Sequence, residues 1–205
     1  MLGTIYYLSF IVLLIAVLSD LLIPIIIGIK CPGYNHFVQT ISTLGTENSP
    51  VQKYQCMNLI IVGVLLIIFS LGQYFVFDQK SWAHNLYTAG IVIFAIGCIF
   101  AGLFPEDIQG VAETSSGKIH GIASGIGFIF LILNPLWAVW IKEFNKIPII
   151  NIILLVLGLI TFIIFLLSEN KTTGFLRFTG LFQRLNLIIL YGVLILNYFR
   201  LKGSV

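Results

Sequence analysis

Six long apolar runs alternate with polar stretches along the chain, at about 4–29, 51–77, 81–104, 117–141, 147–167 and 181–199. A helix needs about 20 apolar residues to cross a bilayer. In lipid, a helix satisfies its own backbone hydrogen bonds, which an open chain cannot do. The pattern therefore predicts an all-α polytopic membrane protein, with six transmembrane helices in a compact bundle forming one domain over residues 1–205. Between the first two runs, Phe37, Ile41 and Leu44 recur at helical spacing, with His36, Gln39, Thr40 and Thr43 on the opposite side. This predicts a short amphipathic helix at the membrane interface, with Gly45 and Pro50 marking the turn out of it.

The connections alternate in size. Those at 78–80 and 142–146 are short, and those at 30–50, 105–116 and 168–180 are longer. An even number of spans puts both termini on the short-loop side. That side carries Lys80, Lys142, Lys146, Arg200 and Lys202. The long-loop side carries Lys30, Lys53, Lys118, Lys171, Arg177 and Arg184. The short-loop side packs its cations into fewer connecting residues, with Asp78 and Glu143 as its acids, and Trp82, Trp137 and Trp140 gather there. By the positive-inside rule, a multi-pass protein of the cell membrane with both termini cytoplasmic is expected.

Composition strengthens the membrane reading and excludes other classes. Apolar residues make up 59% of the chain, charged residues 9%, and the mean hydropathy is +1.05. A soluble domain carries about 25% charged residues. A net charge of +3 without a run of like charges leaves no footprint for nucleic acid. Cys31, Cys56 and Cys98 form no metal-ligand spacing, although Cys31 and Cys56 flank the same loop and could pair on an oxidising face. The N-terminus has no basic region before its apolar run and reads as a retained first span.

With so few polar residues, those at membrane depth are the candidates for function. Asp20 lies in the first run about nine residues from its end, roughly 13 Å deep at the helical rise. A carboxylate there is costly, and is a functional hypothesis by default. Pro24 follows one turn later and leaves the Asp20 carbonyl without its helical donor. His120 and Ser124 share a face of the fourth run, beside a small-residue stripe of Gly117, Gly121 and Gly125 that suits close helix packing. Arg184 opens the sixth run, placed to snorkel or to pair with Asp20 or Asp107. Asp20, His36, Ser42, Asp107, His120 and Arg184 all lean towards the long-loop face.

Four stretches carry a resemblance: Tyr34 to Gly45 (YNHFVQTISTLG), Ala101 to Asp107 (AGLFPED), Gly117 to Gly121 (GKIHG) and Gly180 to Arg184 (GLFQR). In order and spacing they resemble the bacterial and archaeal membrane family known as domain of unknown function 998. The resemblance implies a compact six-helix bundle and no particular activity. Thr43 stands where the resemblance leads one to expect an acidic residue after the serine.

Three functions compete. One is a polar pocket that opens to the long-loop face and binds or transports a lipid-like or small amphiphilic ligand, with Asp20, His36, Ser124 and Arg184 as ligand-binding residues. Another is a membrane-embedded hydrolase of a lipid or amphiphile. There His120 is the base, Asp107 orients it, Ser42 or a water is the nucleophile, and Arg184 holds a headgroup anion. The third is a structural or sensory protein in which the polar cluster fixes packing. No cofactor is expected. A zinc variant of the hydrolase uses His36, Asp107 and His120, and is loosely similar to the ceramidase and adiponectin-receptor type of membrane hydrolase. His84, the third histidine, lies at the opposite side. The expected partners are membrane lipid and a small amphiphile.

Overall fold

The computed structural model describes residues 2–77, 80–108, 110, 112–144, 147–169 and 171–201. Asp78, Lys146 and Lys202, which enter the charge comparison, lie outside them. The helices are α1 (Leu2–Gly28), α2 (Gln52–Val76), α3 (Trp82–Leu103), α4 (Ser115–Ile132), α5 (Asn134–Ala138), α6 (Pro148–Ser168) and α7 (Thr179–Leu201). Six segments are long and apolar enough to span a membrane, α4 and α5 together forming the fourth, Ser115–Ala138. The expected continuous run at 117–141 is broken at Leu133. Pro135, at the start of α5, has no N–H to continue the ladder, and the Asn134 side chain turns to donate to the Tyr87 carbonyl at 3.1 Å.

The outward faces stay apolar. On α1, Leu8, Ile11, Ile15, Leu18, Leu22 and Ile26 form an exposed stripe, while Tyr6, Leu13, Val17, Asp20 and Pro24 face inward. A helix apolar on all sides belongs in a core or a bilayer. The exposed stripe selects the bilayer, and the chain is a multi-pass membrane protein. Pro24 leaves α1 unbroken, and Asn58 of α2 donates to the nearby Ser19 carbonyl at 3.2 Å.

Helices α1 to α4 pack in chain order, each on the next, and α6 packs on α7. Tyr6 and Tyr198 close α1 against α7, their rings stacked at 4.6 Å and each hydroxyl donating to the other's carbonyl. A Cβ on Gly63 of α2 would collide with the Ala95 carbonyl of α3. One on Gly97 of α3 would sit 2.7 Å from the Ala123 carbonyl of α4. The expected stripe at Gly121 and Gly125 takes no part in this packing, because nothing lies within 4 Å of a Cβ built on either. Helix α4 leans on α3 and has little contact with α6 and α7.

The expected amphipathic helix between α1 and α2 does not form. The segment folds as turns followed by a four-residue 3₁₀ turn, Ser42–Gly45. Asn35 Oδ1 accepts from the Phe37 N–H at 2.9 Å, and Thr40 Oγ1 accepts from the Thr43 N–H at 3.2 Å. Such local side-chain bonds compete with a helical ladder. Phe37 is 59% exposed, whereas Ile41 and Leu44 are buried, so the three share no common stripe. The described cysteines are all free, and Cys56 Sγ rests against the Gly45 carbonyl at 3.7 Å.

Candidate functional site

The long α1–α2 loop is drawn over the bundle by α7. At the start of α7, the Gly180 and Leu181 N–H groups donate to the carbonyls of Val38 and Phe37, at 3.3 and 2.9 Å. Helix N-termini carry unsatisfied N–H groups, and here the loop backbone meets two of them. A Cβ on Gly180 would overlap the Gln39 carbonyl, so the approach requires glycine. One turn on, Arg184 Nη1 donates to the carbonyls of His36 (2.6 Å), Gln39 (3.1 Å) and Gly180 (2.9 Å). Its Nη2 donates to the Tyr34 hydroxyl at 2.6 Å, which itself donates to the Thr40 carbonyl at 2.8 Å. Beside Arg184, Gln183 Oε1 accepts from the Ile41 N–H at 2.6 Å.

This clamp sets Ser42 above the bundle interior. His120, one turn into α4, is buried at 5% exposure. Its Nδ1 lies 3.0 Å from the Phe104 carbonyl and 3.2 Å from that of Ala101, at the end of α3. Carbonyls only accept, so Nδ1 carries the proton. The neutral ring then presents its Nε2 lone pair to Ser42 Oγ, 3.1 Å away. Ser42 also borders a small cavity of about 40 Å³. Asp20, Ser124 and Gln183 line it together with Leu59, Phe94, Cys98, Phe128 and Leu187. Asp20 is 3% exposed, and its Oδ2 accepts from the Tyr191 hydroxyl at 2.7 Å.

The loop, the end of α3, the start of α4 and the start of α7 thus meet around one cavity mouth. They are the four stretches singled out above. A model of the family described as "Protein of unknown function (DUF998)" matches residues 14–198. The chain belongs to the DUF998 family. Neither a curated protein nor a solved structure matches it. In this DUF998 protein the family stretches supply backbone groups as well as side chains. Ala101 and Phe104 give carbonyls to His120, and His36 and Gln39 give carbonyls to Arg184.

Asp20, Ser42, Ser124 and His120 come together here, and three other candidates have different surroundings. Asp107 makes no hydrogen bond to His120. Its carboxylate accepts from the Thr114 N–H (2.8 Å) and hydroxyl (2.6 Å) and packs on Gly117, at the start of α4. Those bonds hold its pKa below the usual value. Arg184 pairs with neither Asp20 nor Asp107, its donors going to the clamp. His36 packs its ring edge-on to Tyr34 over Gly28, with Nδ1 buried and unpartnered. Burial, then the charge of Arg184, lowers its pKa. Among the described residues, no group of three or more His, Cys, Asp or Glu side chains is placed to hold a metal. The set of His36, Asp107 and His120 is therefore not gathered as a zinc site.

Sequence reasoning missed several residues of this protein. Gln183 and Tyr191 lie inside apolar runs and are not among the sequence candidates. Glu106, beside Asp107, is not among the sequence candidates. In the fold it is partly buried, and burial with Glu169 nearby raises its pKa to about 7. At the opposite end, His84 Nδ1 accepts from the Ser81 N–H at 3.0 Å, and Nε2 faces Glu143 at 3.4 Å. The spacing of Ser81 and His84 is that of a capping box with His in the Glu position, a signal that was readable.

Proposed function

We propose that this membrane protein binds a slender amphiphile, from the long-loop face, at the cavity that α3, α4, α7 and the first loop line together with single residues of α1 and α2. One observation carries the reading: the cavity opens beside the weak contact between α4 and α7, and its lining is divided by chemistry. Asp20, Ser42, Ser124 and Gln183 offer hydrogen bonds, and Leu59, Phe94, Phe128 and Leu187 offer apolar contact. Ligand sites combine apolar walls with a few placed polar groups. The cavity is small and partly open, so it takes a narrow end of a molecule whose remainder lies in the mouth or in the surrounding lipid.

The test is native mass spectrometry of protein extracted in mild detergent, with extraction and lipid analysis of what it retains. Ser124→Trp fills the cavity from α4, and should lower the retained amphiphile at least tenfold while the protein stays monodisperse. Equal retention by a folded Ser124→Trp protein overturns the reading. In the same reading both termini face the cytoplasm. On a cysteine-free background, an impermeant maleimide should label Glu47→Cys in intact cells and spare Lys80→Cys, and the opposite pattern reverses the orientation.

A further inference from the structure

We propose that Ser42 is a nucleophile that takes the acyl group of an ester-linked amphiphile, with His120 as its base. The inference rests on the pocket reading for its substrate, and names the class: a molecule with a carboxylic ester near its polar end.

Three features support it. The first is the Ser42 Oγ to His120 Nε2 distance of 3.1 Å, within the range for a nucleophile and its base. The second is the way His120 is held. A base needs its remote nitrogen fixed so that the near one faces the nucleophile. Here the Ala101 and Phe104 carbonyls do this at Nδ1, the orienting part that an acid plays in a triad. This accounts for a pair that works while Asp107 is committed to Thr114. The third is Gln183. Its Oε1 is engaged by the N–H of Ile41, the residue before Ser42, which fixes the amide orientation. Its Nε2 makes no hydrogen bond among the described residues, and Gln183 lines the cavity. A preorganised donor beside the nucleophile suits a developing oxyanion.

The step balances. Ser42 Oγ bonds to the ester carbonyl carbon as its proton passes to His120 Nε2. The ester C–O bond breaks, and the proton goes on to the departing alkoxide, releasing the alcohol. Water from the mouth then gives a proton to Nε2 and attacks the acyl carbon. The C–Oγ bond breaks, the carboxylic acid leaves, and Ser42 regains its proton.

The experiment uses a short-chain alkyl fluorophosphonate on the full-length protein in detergent. Attack forms an O–P bond and expels fluoride, leaving an adduct that intact mass and peptide mapping locate. The expected adduct is on Ser42, is absent in Ser42→Ala, and forms at a rate that rises with pH as a single imidazole group titrates. His120→Asn keeps an N–H donor for the Ala101 and Phe104 carbonyls and removes the base, so it should fold while labelling at least 100-fold more slowly without the pH dependence. An unlabelled wild-type protein, an adduct elsewhere, or equal labelling of a folded His120→Asn protein overturns the proposal. A hydrogen bond that serves only packing predicts no adduct. Retention of amphiphile separates the two readings. Retention by wild type and Ser42→Ala without labelling refutes the nucleophile alone. Labelling of Ser42 without any retained amphiphile refutes the pocket and keeps the nucleophile.

Discussion

Arg184 offers the most direct test of how the long-loop face is built. Its guanidinium makes four hydrogen bonds, and three of them leave α7, to the His36 and Gln39 carbonyls and the Tyr34 hydroxyl. A hydrogen bond from a charged donor contributes about 1.5–3 kcal/mol when sheltered. This group is partly exposed, and screening lowers each bond to about 1 kcal/mol. Arg184→Ala should therefore destabilise the protein by about 3 kcal/mol. For a chain of this size, about 2–4 °C of melting temperature accompanies each kcal/mol, so a fall of about 6–12 °C is expected. Arg184→Lys keeps the charge but replaces a planar fork with a point donor. It should recover no more than about a third of the loss. The measurement is thermal unfolding in detergent, followed by the monodisperse fraction after heating. A melting temperature of Arg184→Ala within about 2 °C of wild type would refute the clamp. Equality of Arg184→Lys with wild type would show that charge, not the fork, matters.

Two further outcomes follow from the same geometry. Glu106 has its pKa raised from 4.5 to about 7, with burial first and Glu169 second among the causes, so the fold favours its protonated form. That stabilisation is complete below about pH 4.5 and is lost as pH rises towards 7. Glu106→Gln should match wild type near pH 4 and exceed it by about 1–3 kcal/mol at pH 8, and parallel melting curves at both pH values would contradict this. Tyr191→Phe removes the donor to Asp20 Oδ2 and should cost about 1–3 kcal/mol, because it strands a buried acceptor. Asp20→Leu with Tyr191→Phe should then cost less than the two single changes added together, and strict additivity in a thermal double-mutant cycle counts against the pair.

The spans were legible because bilayer thickness imposes a run length that composition alone cannot disguise. Asp20, His120 and Ser124 were legible for a related reason, since a polar side chain in an apolar run needs a partner inside the bundle. The α1–α2 loop was misread because the spacing of Phe37, Ile41 and Leu44 is a local signal. What shapes that loop is Gly180, Gln183 and Arg184, more than 140 residues away. The proposed Asp107 to His120 pairing failed to form for a similar reason. Thr114 lies closer along the chain and offers two donors, and the end of α3 already supplies the acceptors that His120 needs. Tyr191 and Gln183 carried no signal, because a tyrosine or glutamine inside an apolar run looks the same whether it packs or bonds.

The clamp between the first loop and the last span also bears on biosynthesis. Ile41 finds its partner 142 residues later, on Gln183. When a ribosome has delivered α1 to α6 into the membrane, the carbonyls of His36 and Gln39 still lack their Arg184 partner. Insertion and maturation are then separate events. The bilayer holds the first spans as they emerge, but the mouth closes only after Gly180 to Arg184 have been translated and α7 has entered. A nascent chain stalled before that point holds all but one of its spans, yet its first loop lacks the partners on Gly180, Gln183 and Arg184 that fix its shape.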